Sequence, residues 1–137
     1  MASDKIKFEE IVIASWLHDV GKFAQRADVS ELYDKNLEGQ YCKTTRYGGY
    51  THQHVIYTEG FINKYKFVLP DNVNWENVKS LAAYHHNPSD YYEWIIAEAD
   101  RLSSGSDRCN VLGEKECDEN QFDEEKHKLK FYEKPML

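Results

Sequence analysis

The sequence predicts an all-α fold with one long loop after the first helix. Four stretches carry apolar residues at three- and four-residue spacing. Asn, Asp, Ser, Gly and Pro stand where those stretches begin or end. The length, 137 residues and 16.1 kDa, supplies one domain with a real core and too little chain for two.

The first helix is expected from about Asp4 to Gln25, where Phe8, Ile11, Val12, Ser15, Leu17 and Val20 carry the pattern and only Gly21 interrupts it. Ala27 to Tyr50 is polar, contains Gly39, Gly48 and Gly49 and several isolated tyrosines, and reads as a long loop or partly ordered insertion. A second helix follows from about His52 to Lys66, with Val55, Ile56, Phe61, Ile62 and Tyr65 on its buried side. Pro70-Asp71-Asn72 breaks the chain, and Asn74 is placed to cap a third helix, Trp75 to His86, whose inner stripe is Val78, Leu81, Ala82 and His85. Asn87-Pro88 ends it, since the residue before proline is pushed out of the helical region. Ser89 or Asp90 caps a fourth helix through Leu102, and Ser103-Ser104-Gly105 is expected to stop it.

Residues 1–108 are therefore expected to form the domain core. Residues 109–137 read as a charged arm: GEKECDENQFDEEKHK has one large apolar residue, Phe122, and His127 within it is expected to be solvated. The closing FYEKPML turns apolar, and the arm is expected to lead toward a further domain of a longer polypeptide.

Composition bounds the function. With 41% hydrophobic and 14% aromatic residues the chain is not a disordered one. Its longest apolar stretch, Ile11–Leu17, is broken by Ser15 and falls far short of the roughly 20 residues of a membrane helix. The opening MASDKIKFEE has no secretory h-region, so no membrane partner and a cytoplasmic location are expected. The net charge of −7 excludes a general electrostatic grip on nucleic acid, although metal ions can reverse the field at one site. Cys42, Cys109 and Cys117 form no C-x-x-C pair and read as free thiols.

Five of the six histidines fall in three clusters. In His18-Asp19-Val20-Gly21-Lys22, adjacent helical side chains point about 100° apart, so His18 and Asp19 converge on an ion only at the ridge between two faces. Lys22 lies one turn beyond His18, where an ammonium can meet a phosphate oxygen. Gly21 leaves room for a neighbouring backbone. His52-Gln53-His54 opens the second helix, and His85-His86 closes the third, with Asp100 one helix later. A single histidine of this kind is ordinarily a surface or satisfied core group. Jointly they offer imidazole and carboxylate ligands suited to a divalent transition metal. Tyr33, Tyr41, Tyr47 and Tyr50 are able to stack on bases, though loop tyrosines are commonplace.

His18-Asp19 with Gly21-Lys22 resembles the helix signature of the HD metal-dependent phosphohydrolase superfamily, whose general pattern places another histidine upstream. Residues 1–17 contain none. WLHDVGKFAQRA, HVIYTEGFI, AAYHHNPS and IAEADRLSSGSDR are similar to the N-terminal HD domain of the large, Csm-type subunit of type III-A CRISPR effector complexes. There the motif order is circularly permuted, so the missing histidine follows instead. The resemblance covers about the first 108 residues, and EADRLSSGSDR with AAYHH is its specific part. It implies an HD helical bundle in which His18, Asp19, His54 (rather than His52), His85, His86 and Asp100 are the metal ligands. Asp19 would bridge the ions and Lys22 would stabilise charge on a non-bridging phosphate oxygen. The implied activity is a nuclease acting on single-stranded DNA with one or two manganese, nickel or cobalt ions. The implied partners are the other subunits of a CRISPR ribonucleoprotein complex. No GGDD polymerase palm is present, so synthesis of cyclic oligoadenylates is not expected. A nucleotide phosphohydrolase and a non-catalytic scaffold are the competing readings.

Overall fold

A computed structural model describes residues 5–112, with side chains described through Gly105. Its helices are α1 (Phe8–Leu17), α2 (Gly21–Arg26), α3 (Glu38–Tyr41), α4 (His54–Tyr65), α5 (Trp75–Ala83) and α6 (Tyr91–Leu112). Between α3 and α4, strands β1 (Lys43–Thr44) and β2 (Tyr50–Thr51) pair antiparallel, Lys43 opposite Thr51 and Thr44 opposite Tyr50. The unit that ends at Arg101 holds the packing described below, and a second unit begins at Leu102 with the last turns of α6. Among the described residues no helix is long and apolar enough to cross a membrane.

Helix α4 organises the first unit, because six successive residues, His54 to Glu59, are all buried. A helix covered on every face needs partners all round. Ile62 joins Ala14 of α1, Val78, Leu81 and Ala82 of α5 and Ile96 of α6 in the largest apolar cluster. Val55 and Ile56 pack with Tyr41, Cys42 and Ala83. Tyr57 packs with Ala24 of α2 and with Leu32.

Two glycines set how closely those partners approach. A Cβ on Gly21 would lie 2.0 Å from the His54 carbonyl oxygen and 2.5 Å from the Thr58 nitrogen, so α2 and α4 meet backbone to backbone. A Cβ on Gly60 would lie 2.1 Å from the Leu32 carbonyl oxygen, where a 3-10 turn (Ser30–Leu32) crosses α4.

Buried acids fix the ends of the helices. Glu10, 1% exposed, accepts from the Asn74 N–H at 3.0 Å, the Asn77 amide at 2.9 Å and the Lys7 N–H at 3.1 Å, tying α1 to the start of α5. Burial alone would raise its pKa, but these donors outweigh it and hold the carboxyl below its ordinary value. Asn74 caps α5 as its type predicts, accepting from the N–H groups of Glu76 and Asn77. At α6, Asp90 accepts from the Glu93 N–H at 2.9 Å while Glu93 accepts from the Asp90 N–H at 3.2 Å, a reciprocal cap.

The structure corrects four expectations. The stretch from Asp4 to Gln25 is two helices, because Thr58 Oγ1 accepts from the Gly21 N–H at 3.0 Å and donates to the His18 carbonyl at 3.1 Å, satisfying groups that a break exposes. Ala27 to Tyr50 is a chain of short turns, α3 and the hairpin, held by burial of Leu32, Tyr41 and Cys42. Cys42 is a free thiol that burial pushes up to about 11. The third helix ends at Ala83, so His85 and His86 sit in the following turn. Helix α6 runs through Ser103-Ser104-Gly105 to Leu112, since serine and glycine cost a helix up to about 1 kcal/mol each without forbidding it. Tyr65 is 37% exposed rather than buried. The charged arm expected from residue 109 lies outside the described residues beyond Leu112.

Gly60→Ala is expected to cost at least about 2 kcal/mol in urea denaturation, because backbone rather than a flexible side chain stands in the way. Gly105→Ala, which meets open space within a helix, is expected to be neutral or stabilising by up to about 1 kcal/mol. Equal effects at the two positions would refute this account of α4.

Candidate metal centre

The turn after α1 and the first residue of α4 are brought together by the Gly21 crossing. His54 Nε2 lies 3.3 Å from Asp19 Oδ1, and His85 Nε2 lies 3.8 Å from the same oxygen. The rings of His18 and His85 are 4.8 Å apart, those of His54 and His86 5.0 Å, and those of His85 and His86 4.0 Å. Asp100 comes in from α6, its Oδ1 3.3 Å from His18 Nε2.

All six residues expected to be ligands are thus gathered in one place. Asp19, His54, His85 and His86 offer donor atoms within 4.8 Å of one another, and so do His18, His85 and Asp100. His52 stands at the edge, its ring 4.0 Å from that of His86 and 6.1 Å from that of His54, and it belongs to neither set. Lys22 Nζ donates to Asp19 Oδ2 at 2.7 Å and is 44% exposed, so it lines the rim.

Four buried atoms have no hydrogen-bond partner: Asp19 Oδ1, His54 Nε2, His85 Nε2 and His86 Nε2. They are the same four residues that form the larger donor set. Leaving one such group unsatisfied costs about 1–3 kcal/mol, so four facing each other are a strong demand for a shared cation. The donor types fit a divalent transition ion.

Backbone carbonyls fix the tautomers. A carbonyl can only accept, so His85 Nδ1–H donates to the Ala82 oxygen at 2.7 Å and the Nε2 lone pair is left facing the cluster. His18 Nδ1–H donates likewise to Ser15 at 2.6 Å, and its Nε2 faces Asp100.

Protonation follows. Burial lowers His85 to about 4, helped by the neighbouring His18 and His54. Burial also pushes His86 far down, with His85, His52 and His54 adding to it. Both rings are neutral at pH 7, as ligands must be. Burial alone would raise Asp19, yet the His54 ring and the Lys22 ammonium outweigh it and hold the carboxyl well below the usual carboxylate range. Burial pulls His18 down, but its bonds to Asp100 and to the Ser15 carbonyl reverse this and raise it. His18 in turn lowers Asp100.

Thr58 and Gly21 were not both legible. Gly21 stands inside the motif, but Thr58, 0% exposed and bonded to both sides of the break, carries no signal beyond its type.

Histidines with lowered folded pKa values contribute stability that is fully present above their unfolded value, about 6.5, and lost as pH falls. The metal-free chain is therefore expected to lose stability between about pH 6.5 and 4, the window set by His85. His85→Leu should flatten that part of the profile in denaturation midpoints measured with a chelator present. An unchanged slope would show that His85 is not buried neutral.

The HD domain family model matches residues 2–105. Neither a curated protein nor a solved structure matches the chain. With that match over most of its length, and the His18-Asp19 pair at the centre of the cluster, the chain belongs to the HD domain family.

Proposed function

We propose that this chain is a divalent-metal-dependent phosphodiesterase that cleaves single-stranded DNA, working as the HD domain of a type III-A CRISPR large subunit beside the other subunits of that complex. HD domains are typically metal-dependent hydrolases. The observation that carries the metal chemistry is the set of four buried, unpartnered donor atoms converging on one void. The narrower reading is supported by WLHDVGKFAQRA, AAYHH and EADRLSSGSDR, and by ligands that follow the chain in permuted order, His18-Asp19 first and Asp100 last.

A divalent ion, when bound, supplies Lewis-acid polarisation of a phosphoryl oxygen and a deprotonated nucleophile at neutral pH. His54, His85, His86 and Asp19 Oδ1 would hold it. The remaining work belongs to the chain. The carbonyls of Ala82 and Ser15 orient two imidazoles, so no reorganisation is needed when substrate arrives. Lys22, tied to Asp19 Oδ2 and half in solvent, is placed to meet a non-bridging phosphate oxygen.

The number of ions is constrained by His85. It appears in both donor sets, but its Nδ1 is committed to Ala82, which leaves one lone pair for one ion. A second ion would rely on His18 and Asp100, with Asp19 as the residue common to both, since Oδ1 faces His54 and Oδ2 lies 3.4 Å from His18.

The full chain is expected to cleave a labelled single-stranded oligodeoxynucleotide with manganese, nickel or cobalt. Asp19→Ala and His54→Ala should each lower the rate at least about a hundredfold and weaken manganese binding by calorimetry. Turnover of free nucleotides with DNA untouched would overturn the substrate. Undiminished cleavage by Asp19→Ala would overturn the site.

A further inference from the structure

Residues 39–58 contain no carboxylate in a chain whose net charge is −7. Within them the β1–β2 hairpin ends in a turn closed by the Gly48 N–H donating to the Thr45 carbonyl at 3.2 Å. The Gly49 N–H donates to Thr45 Oγ1 at 3.0 Å, and Gly48 takes φ +84°, which a side chain would resist. Arg46 and Tyr47 are the two central residues of that turn. Tyr47 is 94% exposed, and Arg46 and Lys43 are exposed with it.

The other tyrosines of this region are committed elsewhere. Tyr41 is buried against Tyr84, and Tyr33 donates to Glu38 and packs on Tyr57. The cations contrast in the same way. Lys7, Lys22, Lys64, Lys66, Lys79 and Arg101 each lie against an oxygen of the protein. Among the described residues Lys43 and Arg46 have no such partner.

The hairpin also leads directly into the metal centre. β2 ends at Thr51, whose hydroxyl bonds His52, and the His52 ring stacks 4.0 Å from that of His86. Tyr47 is five residues from His52, at most about 18 Å of extended chain.

We infer that the Lys43–Thr51 hairpin is the arm that grips an unpaired polynucleotide strand, Tyr47 stacking on a base and Arg46 and Lys43 pairing with its phosphates, and leads it to the histidine cluster. This rests on the nuclease reading of that cluster. A rigid turn presenting one ring and two unpaired cations matches the stacking-plus-phosphate mode of single-strand recognition. It confines the attraction to one place on an acidic surface, where a duplex offers phosphates but no open base face.

The test is fluorescence anisotropy of a dye-labelled single-stranded oligodeoxynucleotide titrated with the full chain in chelator, so that nothing is cut. Arg46→Ala/Tyr47→Ala should weaken binding at least about tenfold. Lys43→Ala should make log affinity against log salt shallower by about one unit. Lys66→Ala/Phe67→Ala, which removes an exposed ring and a cation elsewhere, should leave affinity unchanged. RNA of the same sequence is expected to bind through the same residues, and the duplex more weakly. No binding by the native chain, no loss in the hairpin variant, equal loss in the control pair or tighter binding of duplex would each overturn the inference. A chain that binds through Arg46 and Tyr47 but cuts nothing with manganese keeps the inference and loses the nuclease reading. One that cuts DNA with binding indifferent to Arg46 and Tyr47 does the reverse.

Discussion

The backbone contact between Gly21 and α4 is the constraint on which the rest depends. A helix running unbroken through His18 and Asp19 would aim the two side chains about 100° apart. The chain instead breaks after Leu17, and a single hydroxyl, Thr58, occupies the gap by serving the Gly21 N–H and the His18 carbonyl together. The break frees Asp19 to face His54 at 3.3 Å while His18 turns toward Asp100. Because the contact is backbone on backbone, it sets these distances without relying on flexible side chains.

Such a cluster opposes folding. Several imidazoles and a carboxylate are withdrawn from water, and four of their atoms find no partner. The surrounding structure resists the resulting strain with apolar burial and with two deeply buried glutamates. Glu10 locks α1 to α5, and Glu93 closes the start of α6 while accepting from Ser80 of α5. These acids are fully served by donors, whereas the cluster is not. The difference between a satisfied buried acid and an unsatisfied buried set separates structural from functional polarity in this fold.

Much of this was legible in the sequence, and for identifiable reasons. The periodicity of Val78, Leu81 and Ala82 and the cap at Asn74 report local geometry, so α5 could be placed nearly to its ends. The histidines stood out because imidazoles paired with an adjacent aspartate or histidine are uncommon. Other features were hidden because they depend on distant partners. The break in the first helix exists only because Thr58 lies across from it. The ordered course of Ala27 to Tyr50 comes from burying Leu32, Tyr41 and Cys42 against α4, which polar composition conceals. His52 and His54 are equivalent in sequence, and only the start of α4 at His54 distinguishes a donor aimed inward from one stacked at the edge.

The distribution of charge follows from the same arrangement. An acidic chain repels a phosphodiester at long range, and the two aspartates of the cluster add to that repulsion at short range. Neutral His85 and His86 let the protein surround a divalent ion without adding positive charge of their own, so the sign of the field there is set by the ion. Lys22, held by Asp19, adds one fixed ammonium at the rim. Attraction to a phosphodiester is thus tied to occupancy of the centre, and an acidic domain of this kind is selective because it holds its substrate only where it can act on it.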